Sequence, residues 1–219
     1  MSVKIITIDG PAGAGKSTVA KRLAQLLGLP YLDTGAMYRA LTLKALREKI
    51  NLEDEENLAQ LARRTNIDLV GESVKLKVYL DGEDVSDAIR TLEITNKTFY
   101  IARAAKLREV MVEYQRKIAQ RAGVVAEGRD LGTVVFPKAQ HKFYLDAKVE
   151  ERTRRRVNEL REKGVAVQSD KLLLEIKERD TKDTTRKVGP LKCADDAIYI
   201  DTTQMSVEDT VQEILKYLK

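Results

Sequence analysis

The chain has 219 residues, 39 basic and 34 acidic, for a net charge of +5, and 43% of it is hydrophobic. That suits one α/β domain with a sizeable core, and the small positive excess suits anionic ligands more than it marks a nucleic-acid surface. No apolar run approaches membrane-spanning length, no signal-peptide pattern opens the chain, and Cys193, the one cysteine, excludes an intrachain disulfide, so a soluble cytoplasmic protein is expected.

Residues 3–9 are apolar and read as a buried strand. The stretch Gly10, Pro11, Ala12, Gly13, Ala14, Gly15, Lys16, Ser17 then satisfies the pattern G-x-x-x-x-G-K-[ST], and Thr18 follows. A helix over 16–27 is predicted from Val19, Leu23, Leu26 and Leu27, with Gly28 and Pro30 ending it. Strand, glycine-rich loop and helix together point to a site for a nucleoside triphosphate. Glycines let amide hydrogens converge on phosphate oxygens, and the helix adds its positive end. Lys16 reaches the terminal phosphates and the Ser17 hydroxyl ligates Mg²⁺ in such loops.

A short strand over 30–33 leads through Thr34-Gly35 into a second helix marked by Tyr38, Leu41, Ala45 and Leu46. Residues 54–66 are helical in pattern. Val74, Leu76, Val78 and Leu80 then alternate with polar neighbours before Asp81-Gly82, which predicts a small antiparallel insertion over 67–90. Residues 91–121 read as one or two helices. Strands are expected at 123–127, 141–146 and 197–201, with helices over 149–163, 171–181 and 206–218. Strands alternating with helices give a five-stranded parallel sheet covered on both faces, in one domain spanning 1–219.

Ligands of such sheets bind beyond the carboxyl ends of the strands. Asp9-Gly10, Asp33-Thr34, Glu127 to Asp130 and Asp146 all fall at that edge. Glu127 is placed where a metal-binding carboxylate lies in these folds, sharing Mg²⁺ with Ser17. Arg39, Arg129, Arg179 and Arg186 have the planar geometry that binds phosphate, with Lys182 and Asp183 beside the last two in a loop before the final strand. The run Arg152, Arg154, Arg155, Arg156 is either a solvated face paired with Glu150, Glu151 and Glu159, or a lid over 152–168 in which at least one arginine closes on phosphate. His141, the lone histidine, opens a strand and is read as structural.

The blocks GPAGAGKST (10–18), LDTGAMYRA (32–40), EGRDLGTVVFPKA (127–139) and ERDTKDTTRKVGPL (178–191) together closely resemble bacterial cytidylate kinases. The resemblance spans nearly the whole chain. It implies a three-layer P-loop NTPase fold with a nucleotide-binding insertion and a short lid, and transfer of phosphate from ATP, with Mg²⁺, to CMP or dCMP by a monomer. Lys16, Arg129, Arg186 and Arg156 are then the catalytic candidates. Thr34, Arg39, Arg129 and Arg186 become acceptor-phosphate ligands, Arg179 and Asp183 sugar ligands, and Asp130 a cytosine reader with Tyr38 beside it. A serine and an arginine that relatives use for the base fall here on Phe99 and Lys106, with Arg103 or Arg108 as substitutes. Another small-molecule kinase of this fold would share the loop and differ in the acceptor pocket. A GTP switch would need an Asn-Lys-x-Asp segment, which Asn96-Lys97-Thr98-Phe99 does not supply. A nucleic-acid ATPase would need a second set of motifs.

Overall fold

The computed structural model describes residues 4–71, 76–162 and 164–218. Strand β1 (Ile5–Asp9) is buried over its last four residues and runs straight into the glycine-rich loop. Helix α1 (Lys16–Leu27) buries Val19, Ala20, Leu23 and Ala24 and stops at Gly28, which takes a left-handed conformation. β2 (Tyr31–Asp33) passes directly into α2 (Thr34–Arg47), because the Asp33 carboxylate accepts from the Ala36 amide at 2.7 Å and caps the helix. Asp54 caps α3 (Glu55–Arg63) in the same way.

Three short strands follow, β3 (Ile67–Val70), β4 (Lys77–Leu80) and β5 (Glu83–Asp84), paired as an antiparallel sheet in that order. Val78 and Leu80 point into the core, as alternation requires. Val74 and Lys75 of the expected alternation lie outside the described residues, as does residue 163 of the 152–168 segment. The helical stretch after the insertion divides at Ala104, whose extended backbone separates α4 (Leu92–Arg103) from α5 (Ala105–Ala122).

β6 (Val124–Gly128) is buried throughout and leads into a π-helical turn, Leu131–Val135, that no sequence signal announced. β7 (His141–Asp146), α6 (Val149–Glu162), α7 (Ser169–Thr185), β8 (Ile198–Asp201) and α8 (Val207–Lys216) complete the chain. The main sheet has the order β2-β6-β1-β7-β8, with every pair parallel.

Two apolar cores lie on opposite faces of this sheet. Ile6, Ile8, Val125 and Phe143 pack under α1 and α8, whereas Leu32, Val124 and Ala126 pack under α2, α3 and α5. Each fully buried side chain of this size contributes about 1.5–3 kcal/mol. A third, small cluster of Val157, Leu172 and Ile176 holds α6 against α7 as a helical hairpin. With β1 central and β6 and β7 on its flanks, the loops after these three strands meet at one edge of the sheet.

Candidate active site

The glycine-rich loop is held close to its neighbours. Gly10 has φ +145°, and a Cβ there would overlap the Leu145 carbonyl, so only glycine lets the chain leave β1 here. Gly13 has φ +80°, and its missing Cβ would lie 3.0 Å from Cβ of Arg152 on α6. Arg152 itself donates to the Ala12 carbonyl at 3.0 Å and pairs with Asp180 on α7 at 2.7 Å. The helical hairpin is therefore joined to the loop by one buried guanidinium.

Lys16 is buried, and its Nζ donates to the Pro11 carbonyl at 2.6 Å, within its own loop. Burial, then repulsion from Arg129, pushes its pKa down to about 7, with Glu127 opposing. Glu127 accepts from the Tyr31 hydroxyl at 2.6 Å, and the Ser17 hydroxyl lies within reach of the same phenol. Tyr31 thus brings the two expected metal donors together. One carboxylate, one hydroxyl and phosphate oxygens form the usual Mg²⁺ donor set, so Ser17 and Glu127 fit that ion. Thr34 donates to the Glu127 carbonyl at 2.7 Å, which ties the start of α2 to β6.

Beyond β6 lies a dense network of arginines and carboxylates. Arg129 pairs with Asp183 at 2.9 Å, and Arg39 pairs with Asp33 at 3.3 Å. Burial works against the Arg129 charge, yet Asp183 outweighs it and raises the pKa. Burial, then repulsion from Arg129, lowers Arg179 to about 10. Asp130 pairs with Arg186 at 3.3 Å and, more closely, with Arg108. The Arg108 guanidinium also stacks over the Tyr38 ring at 5.6 Å. Among the described residues, the Tyr38 hydroxyl, Arg39 Nε and Arg108 Nε are buried without a hydrogen-bond partner.

Two expectations are corrected. Lys106 does not join this network: it is exposed and pairs with Glu56 at 2.7 Å, whereas Arg108, two residues on, is the buried cation at Asp130. Successive helix positions are rotated by about 100°, so a two-residue offset turns a side chain to the opposite face. Lys182 and Asp183 lie not in a loop but on the last turn of α7, which runs past the expected end at 181; Arg179 precedes them on the same helix and Arg186 stands just past its end. Helical spacing of four sets residues 179 and 183 on one face of α7.

The arginine run divides. Arg154 and Arg155 pair with Glu151 at 2.8 Å, and Arg156 pairs with Glu159 at 2.5 Å. Arg155 also donates to the Thr202 carbonyl at 2.5 Å beside the glycine-rich loop. Arg156 reaches the cluster only as an electrostatic neighbour of Arg179. Arg152, which sequence reasoning had not singled out from its neighbours, is the member bonded to the loop.

A glycine-rich loop of this pattern between a central parallel strand and a helix, with Arg108, Arg152 and Arg186 buried on the elements around it, defines a P-loop phosphotransferase. Residues 6–219 match the Cytidylate kinase family profile. The chain is 52% identical over 219 residues to the cytidylate kinase of Caldanaerobacter subterraneus subsp. tengcongensis, covering all of this chain and 96% of that protein. It is 53% identical over 216 residues to the cytidylate kinase of Desulforamulus reducens, covering 99% and 97%. The chain belongs to the cytidylate kinase family. A crystal structure of an uncharacterized protein from Eubacterium ventriosum shares the fold, with TM-score 0.53 and 15% identity over 99% of this chain and 98% of that one. Among the described residues no helix is long and apolar enough to cross a membrane.

Proposed function

We infer that this chain transfers the γ-phosphoryl group of ATP directly to CMP or dCMP, releasing ADP and CDP or dCDP. The observation that carries the base choice is the buried Arg108–Asp130–Arg186 network beside the Tyr38 ring. Cytosine presents an amino group at N4 as donor. A carboxylate accepts from that amine, and a guanidinium donates to the ring's acceptor atoms. Uracil would turn a carbonyl oxygen toward Asp130, so cytosine is favoured.

The backbone N–H groups of residues 12–18 and the Lys16 ammonium hold the β- and γ-phosphates, Pro11 having no N–H to give. Lys16 leaves the Pro11 carbonyl to do so, and the phosphate charge restores its proton. Arg39, Arg129 and Arg186 take the acceptor phosphate, with Thr34 beside them; Arg179 and Asp183 face its sugar. Mg²⁺ bound at Ser17 and Glu127 would neutralise charge on the transferring phosphate. The acceptor oxygen is already an anion, so no strong general base is required. Catalysis is positioning plus charge stabilisation, with Arg156 drawn in from the 152–168 lid as it closes. Action as a monomer is part of this reading, and the free thiol of Cys193 suits a reducing cytoplasm.

The test is ATP made chiral at its γ-phosphorus with oxygen isotopes. Direct in-line transfer inverts the configuration in the CDP formed; retention would require a phosphoenzyme and overturn this mechanism.

A further inference from the structure

Asp9 has no part in the chemistry above, yet its side chain is buried at the centre of the site. It is the last residue of β1, immediately before Gly10. Its carboxylate reaches sideways, Oδ1 accepting from the Leu131 amide at 2.9 Å and Oδ2 from the Gly132 amide at 2.7 Å. Those amides open the π-helical turn that follows Arg129 and Asp130. The backbone ladder between β1 and β6 ends at the pair Asp9 and Gly128. Beyond that point the Asp9 side chain continues the connection for four more residues. One rigid carboxylate thus joins the root of the phosphate loop to the turn that carries two acceptor ligands.

We propose that Asp9 is a positioning residue for the acceptor, fixing the Arg129–Gly132 turn at a set distance from the phosphate loop. The proposal rests on the acceptor role given above to Arg129 and Asp130. Both Asp9 oxygens are engaged by donors, so the amide of asparagine cannot replace it: its oxygen accepts one N–H, and its NH₂ meets the other.

Asp9→Asn and Asp9→Ala are compared with wild type by steady-state kinetics and by amide NMR. Losing a hydrogen bond to a charged group corresponds to a factor of about ten or more. The KM for CMP should rise by about that factor in Asp9→Asn and further in Asp9→Ala, while the KM for ATP stays within about twofold. The Leu131 and Gly132 amide resonances should both move in Asp9→Ala. If the alanine variant does not fold, the asparagine variant alone decides the matter. Equal losses for CMP and ATP would make Asp9 merely structural and overturn the proposal, as would shifted amide resonances with an unchanged KM for CMP. Asp130→Ala run in parallel separates the two readings. If it raises the KM for CMP and Asp9→Asn does not, the Asp9 proposal falls alone; if neither does, the acceptor assignment falls and takes the proposal with it.

Discussion

Replacing Asp130 by alanine leaves the Arg108 and Arg186 guanidiniums facing each other without their counter-charge. The three side chains are 3%, 8% and 4% exposed for Arg108, Asp130 and Arg186, so water gives almost no screening. Removing one partner of a buried ion pair costs about 3–5 kcal/mol. In a chain of this length each kcal/mol shifts the melting temperature by about 2–4 °C, so a drop of roughly 6–20 °C is expected. Denaturant unfolding should show the same loss as a lower midpoint with an unchanged slope. The double variant Arg108→Leu/Asp130→Ala should be less destabilised than Asp130→Ala alone, because one stranded charge goes with the carboxylate. Titrations should show CMP binding damaged more than ATP binding. A stability change under about 1 kcal/mol would show that Asp130 does not hold the two guanidiniums together, and equal losses for the two nucleotides would show that it does not read the acceptor.

Lys16 supplies a pH signature. Burial and repulsion from Arg129 hold the pKa of the free-site Lys16 ammonium down to about 7, so the neutral amine gains ground as pH rises above that value. Phosphate charge raises that pKa, so ATP binding should take up more protons at pH 8 than at pH 6. Calorimetry in buffers of different ionisation enthalpy reads this directly, and no uptake at pH 8 would contradict it. Lys16→Ala should abolish the uptake and lower turnover by on the order of 10³-fold, with the unfolding midpoint kept; near-normal turnover would count against the lysine's role.

The donor half of the site was legible because its chemistry is local. The loop from Gly10 to Ser17 needs particular residues at adjacent positions, flanked by an apolar strand and an amphipathic helix. The sheet was legible for the same reason, as alternation of apolar runs with helical stretches. The acceptor half depends on phase between distant elements. Lys106 and Arg108 are equally plausible as a bare pattern, yet Arg108, Met111, Gln115 and Ala119 form the buried stripe of α5. An arginine on an otherwise inward stripe was the signal that would have found it. The helical placement of Lys182 and Asp183 was hidden by the threonines around them, which have low intrinsic helix preference but here bond back to carbonyls four residues earlier. The Tyr31–Glu127 bond joins residues 96 positions apart and has no sequence signature. The first two amides of the π-helical turn donate to Asp9 on another strand, a contact with no local sequence signal.

If two nucleotide sites, one built on the glycine-rich loop and one on the arginine–carboxylate network, exchange a single phosphate, nucleotides followed over time by chromatography will show it, with MgATP and CMP, dCMP, UMP, AMP or GMP in turn. ADP and CDP (or dCDP) should form in equal amounts, with UMP used less well and the purines scarcely used. ADP without a matching pyrimidine diphosphate, or purine monophosphates used as readily as CMP, would contradict it.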